Sequence, residues 1–465
     1  MRLWMHWWGM VRELRRACSR QRSFLWLGVA LAGFTIRSEY LGVTSIVRAL
    51  GLRSLYYSCL LAFFHSPAVA VEKLVGCWTS LVWNRFPLQR YHGRAIIVGD
   101  GLKVPKAGKK MPGVKRLHQE SESNTKPSYI FGHSCQALAV LAGTPQSLFA
   151  VPLACKIHEG VVFSNRDRRT LLDKMLQLLA GLPIREKCYF VADAYYACRK
   201  MIRGLRADDH HLISRVKSNA VAYEHPPPRG KKPGAGRPSV YGQKIKLRTL
   251  WDHPALSKLP SPKPGEPHVV LRVAAVDLLL RPLGQRVRFV AAIHPDKGQI
   301  ILMSTDLDLS PAEIIELYGW RSKIEVSFKQ AIHTLGAYAY HFWMQDMKPR
   351  PRKSGNQYLH HCSQPYRDAV RRKLHAYHRF IQTGLIAQGL LQYLSCCQTA
   401  AVWKCFGSWL RTIRPGILPS EAVTAMAMRN TFPEFLSDYA GDAILPKFIQ
   451  PKIDLERMEG IRLVA

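Results

Sequence analysis

Residues 310–336 form the stretch SPAEIIELYGWRSKIEVSFKQAIHTLG, which has the start and end signals of one long helix. Ser310, Pro311 and Glu313 have the order of an N-cap, a first-turn proline and a capping-box glutamate, and Gly336 is typical of a helix end. At about 100° per residue, several apolar positions share one face of this helix: Leu317, Ile324, Phe328, Ala331 and Leu335. We therefore predict a single helix that packs one side against a core.

A polar stripe adjoins that apolar face. Tyr318, Arg321, Glu325 and Lys329 follow one another at three- and four-residue spacing, so their side chains are neighbours on the helix surface. A ladder of ion pairs on a solvated face explains the stripe, and so does a functional site that uses an aromatic ring, two cations and a carboxylate. The spacing alone favours the ion-pair ladder.

The charge of the chain indicates a polyanionic partner. The 465 residues include 67 Lys and Arg against 32 Asp and Glu, which gives a formal net charge of +35 spread along the sequence. A folded protein with this surplus repels itself unless a partner of opposite charge offsets it. Nucleic acid is the leading candidate, and an anionic membrane surface or ribosomal RNA follows.

The apolar run at residues 24–36 is too short for a membrane span, which needs about 20 residues. It therefore predicts a buried helix, although a membrane-associated protein remains an alternative. The eleven cysteines include no CxxC pair, so we expect reduced thiols in a cytoplasmic protein.

Residues 1–90 have helical spacing throughout. The segment 41–54, LGVTSIVRALGLRS, fits either a DNA-reading helix-turn-helix or an ordinary helical hairpin.

Two acids follow apolar runs that are typical of strands. Asp100 comes after the run in RAIIVGDGL, and Asp193 comes after the run in CYFVADAYY. An acid at the end of a buried strand points into a cleft, whereas the simpler interpretation of Asp100 is a turn residue between glycines. A basic loop, KVPKAGKKMPGVKR, is predicted directly after the first strand.

The elements between and after these acids predict an α/β layout. Residues 129–143 and 146–157 have strand character, residues 166–183 form an amphipathic helix of about four turns, and a further strand begins at His211. Three strands, a helix, two strands and a late helix are consistent with a ribonuclease H-like core.

The composition changes over residues 220–305. A segment rich in Pro, Gly and cations contains Gly236-Arg237-Pro238, which is similar to the core of an AT-hook but is equally consistent with a basic flexible loop. Three strand-like runs follow and predict a β-rich insertion before the helix at residue 310. From 337 to the end the chain is mainly helical.

Asp100, Asp193 and Glu325 together suggest a metal site. Cleavage or transfer of a phosphodiester by two divalent cations requires carboxylates that hold the ions roughly 4 Å apart. Oxygen ligands suit Mg²⁺, so acids are the expected residue type. We accordingly expect two Mg²⁺ or Mn²⁺ ions bound by these three acids.

These motifs resemble the DDE transposases of bacterial insertion sequences, in the branch with the signature Tyr-x2-Arg-x3-Glu-x6-Lys. Tyr318, Arg321 and Glu325 fit the first three places, whereas Ile332 stands at the fourth. Lys329 and His333 are the nearest bases. The segments VGDGLKVPKAGKKMPGVKRLHQ and FVADAYY are similar to the regions of the first and second acids. The resemblance covers about residues 90–340.

The resemblance implies a ribonuclease H-like catalytic core with a β-rich insertion, flanked by helical N- and C-terminal regions. Asp100, Asp193 and Glu325 would hold the two metals, and water would free a 3′-OH that attacks target DNA. We assign six candidate DNA contacts from the motif and the basic segments: Tyr318, Arg321, Lys329, Lys103, Lys106 and Arg237.

The expected division of the chain is a helical and DNA-binding region (1–90), the first part of the core (91–219), a basic loop with the insertion (220–305), the core helix (306–340) and a helical C-terminal region (341–465). The implied partner is double-stranded DNA, both the terminal inverted repeats of a transposon and the target. A homodimer on DNA, without membrane contact, in the bacterial cytoplasm near the nucleoid, is the expected setting. The alternative is a non-catalytic or inactivated transposase-derived DNA-binding protein.

Overall fold

The computed structural model describes residues 2–119, 127–226, 239–281, 283–407, 413–414, 416–437 and 444–456. The predicted AT-hook-like triplet around Arg237 lies outside these residues. Across the described part of the chain, no helix is both long and apolar enough to cross a membrane. Each of the eleven cysteines is a free thiol, as predicted.

The N-terminal region is helical, as predicted. It contains α1 (Arg2–Glu13), a 3₁₀ turn (Leu14–Ala17), α2 (Gln21–Ile36), α3 (Val43–Ala49), α4 (Tyr56–His65) and α5 (Val71–Arg85). From Trp26 to Ile36, every residue of α2 is buried, which confirms that this apolar run is a core helix. Within α3 only Arg48 is exposed, so this helix lacks the open face that a DNA-reading helix requires.

The central sheet has the predicted ribonuclease H-like arrangement. Its elements are β1 (Arg90–Tyr91), β2 (Arg94–Pro105), β3 (Lys115–His118), β4 (Tyr129–Thr144), β5 (Ser147–Ile157), β6 (Val161–Val162), α6 (Leu171–Ala180), β7 (Cys188–Ala192), a 3₁₀ turn (Ala194–Tyr196), α7 (Arg199–Ala207) and β8 (His211–Arg215). Strands β5, β4 and β2 are antiparallel neighbours, and β7 and β8 continue the sheet parallel to β2. The resulting order, β5-β4-β2-β7-β8, positions the candidate site.

Two predicted boundaries in this region are wrong. Helix α6 begins at Leu171, because Thr170 caps it and forms a capping box with Asp173, so residues 166–169 belong to the preceding loop. Strand β2 continues past Asp100 to Pro105, since its pairing with β4 extends that far. The first three residues of the predicted basic loop, 103–105, therefore belong to β2, and its last two, 115–116, belong to β3.

The insertion is β-rich, as predicted, and it extends the central sheet. It comprises β9 (Val221–Tyr223), β10 (Lys244–Lys246), a 3₁₀ helix (Leu247–Asp252), β11 (Ser257–Pro260), β12 (Val270–Leu280), β13 (Gln285–His294) and β14 (Gly298–Ser304). Strands β12, β13 and β14 are antiparallel neighbours, and β14 pairs with β8 of the core. The insertion and the core thus share one continuous hydrogen-bonded sheet.

The stretch at 310–336 forms two helices, α8 (Pro311–Trp320) and α9 (Ser322–His333). The predicted capping box is present at its start, but the prediction of one continuous helix is wrong. At Arg321 the backbone keeps helical angles, whereas its N–H donates to the Tyr318 carbonyl and its own carbonyl accepts from Ile324, each three residues away. The apolar side is buried in both helices.

The C-terminal region packs this pair of helices into place. It contains β15 (Gln357–Tyr358), α10 (Gln364–Cys397), α11 (Thr399–Phe406), α12 (Glu421–Asn430), α13 (Phe432–Ser437), α14 (Ile444–Ile449) and a 3₁₀ turn (Gln450–Lys452). The long helix α10 lies against α2, α9 and β5. Arg37, at the end of α2, donates from Nε to the Leu335 carbonyl at 2.9 Å and from Nη2 to the Gly336 carbonyl at 2.8 Å. The end of α9 is therefore anchored to the N-terminal helices.

Candidate active site

Asp100 and Asp193 lie side by side on neighbouring strands. In the parallel pair β2 and β7, Val98 is opposite Val191, and each aspartate lies two residues beyond that pair. Asp193 directly follows the last residue of β7, as predicted, whereas Asp100 lies inside β2. The two acids meet at the edge where β7 ends and β2 continues along β4.

Local hydrogen bonds hold Asp193 in place. Its Oδ1 accepts from the N–H of Tyr195 at 3.1 Å, so Asp193 caps the short 3₁₀ turn that follows. Its backbone carbonyl accepts from the hydroxyl of Ser214 on β8 at 2.7 Å. Hydrogen bonds to the side chain and to the backbone of Asp193 thus fix its position.

Arg321 connects the first acid to the third. Its Nη2 donates to Asp100 Oδ2 at 2.9 Å, and its Nη1 donates to Glu325 Oε1 at 2.7 Å. The break between α8 and α9 falls at this arginine. The Arg321 and Asp100 side chains are mostly buried, at 18% and 16% exposure, whereas that of Glu325 is 57% exposed. The polar stripe is therefore partly an ion-pair ladder, but Arg321 also contacts a carboxylate on the sheet.

The electrostatics indicate crowded carboxylates. Burial is the main cause that raises the pKa of Asp100 to about 6; the charges of Asp193 and Glu325 act in the same direction, whereas Arg321 and the Gly101 N–H lower it. Burial lowers the pKa of Arg321, but Asp100 and Glu325 outweigh burial and the net shift is upward. Burial likewise raises the pKa of Tyr318, whose ring lies near these charges. The pKa of Asp100 thus stays raised because the positive charge of Arg321 offsets the effect of burial only in part.

The donor chemistry of the site fits magnesium. Three carboxylates supply the hard oxygen ligands that Mg²⁺ prefers, and the crowding around Asp100 is what a cation would relieve. The described residues contain no group of three Asp, Glu, His or Cys close enough to hold one ion together. Between Asp100 and Glu325, the guanidinium of Arg321 takes the position of a cation. Metal binding by all three acids therefore requires Arg321 to move.

The other predicted DNA contacts occupy different environments. Lys329 is exposed one turn beyond Glu325, and Lys103 is half-buried, with Nζ bonded to the His118 carbonyl. Lys106 is only 6% exposed and its ammonium donates to the Tyr338 and Tyr340 carbonyls. Burial lowers its pKa to about 7. The structure thus conflicts with a DNA contact by Lys106.

Ile332, at the place of the signature lysine, is partly buried and packs against the core. Its neighbour His333 is exposed at the last position of α9. On α9 itself, the exposed lysine one turn beyond Glu325 is Lys329.

A hydrogen-bonded chain behind the two aspartates was not predicted. Tyr196 is 2% exposed and lies near the charges of Asp100 and Asp193, and its hydroxyl accepts from Gln136 Nε2 at 3.1 Å. Gln136 Oε1 in turn bonds His158 Nδ1 at 2.7 Å. Only Tyr196 carried a sequence signal, because it falls in the FVADAYY segment. Gln136 lies in a mainly apolar strand, near the buried His133 and Ser134, and no motif marks it.

A ribonuclease H-like sheet with acids on two adjacent strands and on a following helix defines a class of enzymes that cut or join phosphodiester bonds. The DDE superfamily endonuclease family model matches residues 19–263, more than half of the chain, and the protein belongs to this family. The match includes Asp100 and Asp193 and ends before Glu325. It also begins within the N-terminal helices, further upstream than the predicted resemblance.

No curated protein matches the chain. Among solved structures, the cryo-EM synaptic complex of piggyBac transposase with hairpin DNA is similar, with 10% identity, a TM-score of 0.40, and coverage of 96% of this chain and 83% of that one. This similarity is too low to support a statement about activity.

Proposed function

We propose that the protein is a DNA transposase that cleaves the ends of a mobile element and joins them to target DNA. The observation that carries the proposal is the Arg321 bridge, which brings Glu325 to Asp100 across 225 residues of sequence, beside Asp193. Membership of the DDE superfamily endonuclease family supports a nuclease-type chemistry. The net charge of +35 supports a DNA partner.

In this proposal Asp100, Asp193 and Glu325 would hold two divalent cations. Bound there, the cations would activate the attacking oxygen and stabilise the leaving one. Tyr318 and Arg321 would bind phosphates at the scissile end, because a guanidinium binds phosphate in a bidentate manner and a tyrosine adds a hydroxyl on a rigid ring. Lys329 would contribute a further phosphate contact from the exposed side of α9. Terminal and target duplexes are the proposed partners, with two copies of the chain on DNA.

The test is nicking of a supercoiled plasmid in Mg²⁺ by the wild type and Asp193→Asn. Asp208→Asn is the matched control, because it removes the same charge from an exposed position at the end of α7. We expect nicking by the wild type and the control, and its loss in Asp193→Asn. Equal nicking by all three proteins would refute the assignment of the active site.

Ile332 favours a second candidate, an inactivated transposase-derived DNA-binding protein. Because this side chain packs against the core, the signature position supplies no cation. In that case the wild type would bind duplex DNA with a steep salt dependence and would not nick it. The same plasmid assay, combined with a binding titration, separates the two candidates.

A further inference from the structure

Helix α7 presents an exposed face of cations next to the candidate active site. Its apolar side, Met201, Ile202 and Leu205, is buried, whereas four basic residues on the helix are exposed: Arg199, Lys200, Arg203 and Arg206. Helix propensity does not require this arrangement, since uncharged polar residues would solvate the same face.

Two of these four cations have carboxylate partners. Lys200 Nζ lies 2.8 Å from Asp173 Oδ2, and Arg206 Nη1 lies 3.9 Å from Asp209 Oδ1. Arg199 and Arg203 form no ion pair with any described residue. Their charges are thus available to a partner.

The loop before α6 adds two arginines to the same surface. Lys200 Nζ contacts both Asp173 and the hydroxyl of Thr170, the residue that caps α6. The first turn of α7 therefore lies against the end of the loop that carries Arg166 and Arg168. Both side chains are exposed, and neither forms an ion pair with a described residue. Arg166, Arg168, Arg199 and Arg203 are called the second basic surface below.

The second basic surface and the signature residues lie on different helices and loops. Helix α7 begins six residues after Asp193, beyond the 3₁₀ turn, and packs on β8 and α6. Helix α9, which carries Glu325 and Lys329, packs on β2 and β5 instead. Between Asp193 and α7, the ring of Tyr195 is 51% exposed. The two basic regions therefore lie on different elements: α7 follows Asp193 in the chain, and α9 carries Glu325.

We propose that the second basic surface binds the backbone of a DNA duplex of arbitrary sequence, which is the target DNA of the proposed transposition reaction. The target assignment rests on the proposed function, because strand transfer brings a second duplex to the same carboxylates. Arg199 and Arg203 are separated by four residues, or about 6 Å along the helix. That distance is close to two base-pair steps at about 3.4 Å each, so one strand can contact both.

The experiment measures binding of a short duplex of scrambled sequence, without Mg²⁺, over a series of salt concentrations. The test variant is Arg199→Gln/Arg203→Gln. The matched control is Lys187→Gln/Arg206→Gln, which also removes two exposed charges, both from partners of Asp209. The plot of log K against log salt has a negative slope, and each lost phosphate contact makes it shallower by about 0.9. We expect the slope of the test variant to become shallower by roughly 1.8 and that of the control to stay unchanged.

A lysine variant and a single-stranded DNA probe test whether the surface recognises charge and whether its ligand is a duplex. Arg199→Lys/Arg203→Lys should restore the slope, because it restores the charge. An unchanged slope in the Gln variant, or an equal fall in the control, would overturn the proposal. So would an equal loss for single-stranded DNA, which would show that the surface takes a strand and not a duplex. Plasmid nicking by Asp193→Asn tests the proposed function separately, since Asp193 is unchanged in all of these variants.

Discussion

Replacing Asp100 by asparagine should make the stability of the protein less dependent on pH. The pKa of Asp100 is raised from 3.8 to about 6 in the folded protein. A raised folded-state pKa means that folding favours the protonated carboxyl, so its stability contribution is fully present below about pH 4 and is lost as the pH rises through about 6. The difference of about 2 pKa units, at 1.36 kcal/mol each, corresponds to roughly 3 kcal/mol. Asparagine does not titrate and avoids this loss.

Urea unfolding of the wild type and Asp100→Asn in EDTA, at several pH values from about 4 to about 8, measures the effect. The stability of Asp100→Asn relative to the wild type should rise by about 3 kcal/mol across this range. The part of this stability difference that does not depend on pH, which includes the weakened bond to Arg321, cancels when values at different pH are compared. Asp208→Asn controls for the change in net charge. A difference that stays constant with pH would refute the conclusion that Asp100 is a destabilised carboxylate.

Two further changes test other parts of the structure. Arg37→Ala removes the donor to the buried Leu335 carbonyl, which should cost about 1–3 kcal/mol in urea unfolding, in addition to the cost of the cavity; a neutral effect would show that α9 does not depend on this anchor. Lys329→Ala should lower the salt slope of duplex binding by about 0.9, one phosphate contact. The buried Lys106 should contribute nothing, and a fall in slope for Lys106→Met would contradict the burial of its ammonium.

The acids of the site could be predicted because local patterns determine where they lie. Apolar runs define β2 and β7; Asp193 directly follows its run, and Gly99 alone separates Asp100 from its own. Because both acids lie two residues beyond the paired Val98 and Val191, they had to be close once both strands belonged to one sheet. The capping box at Ser310 was equally local, because all of its hydrogen bonds lie within four residues.

The wrong predictions for Lys106 and for a single helix through Arg321 depend on contacts between distant residues. Lys106 belongs to a run of cations that is typical of a solvated loop, and its burial comes from Tyr338 and Tyr340, more than 200 residues later. The helix break at Arg321 leaves the apolar period intact, so periodicity could not reveal it. What distinguishes Arg321 is its bond to Asp100 on β2, which no pattern within the helix contains.

Arg321 has two separable effects that a single substitution would mix. It is proposed to bind DNA phosphate, and in this structure it offsets the charges of Asp100 and Glu325. Removing it leaves a buried carboxylate beside two other acids with less positive charge, which favours protonation of Asp100. An Arg321→Ala variant that fails to cleave DNA could therefore have lost a phosphate contact or an ionised ligand. Arg321→Lys retains the charge but loses the bidentate geometry, so activity that returns with lysine indicates the electrostatic effect, and activity that stays absent indicates phosphate geometry.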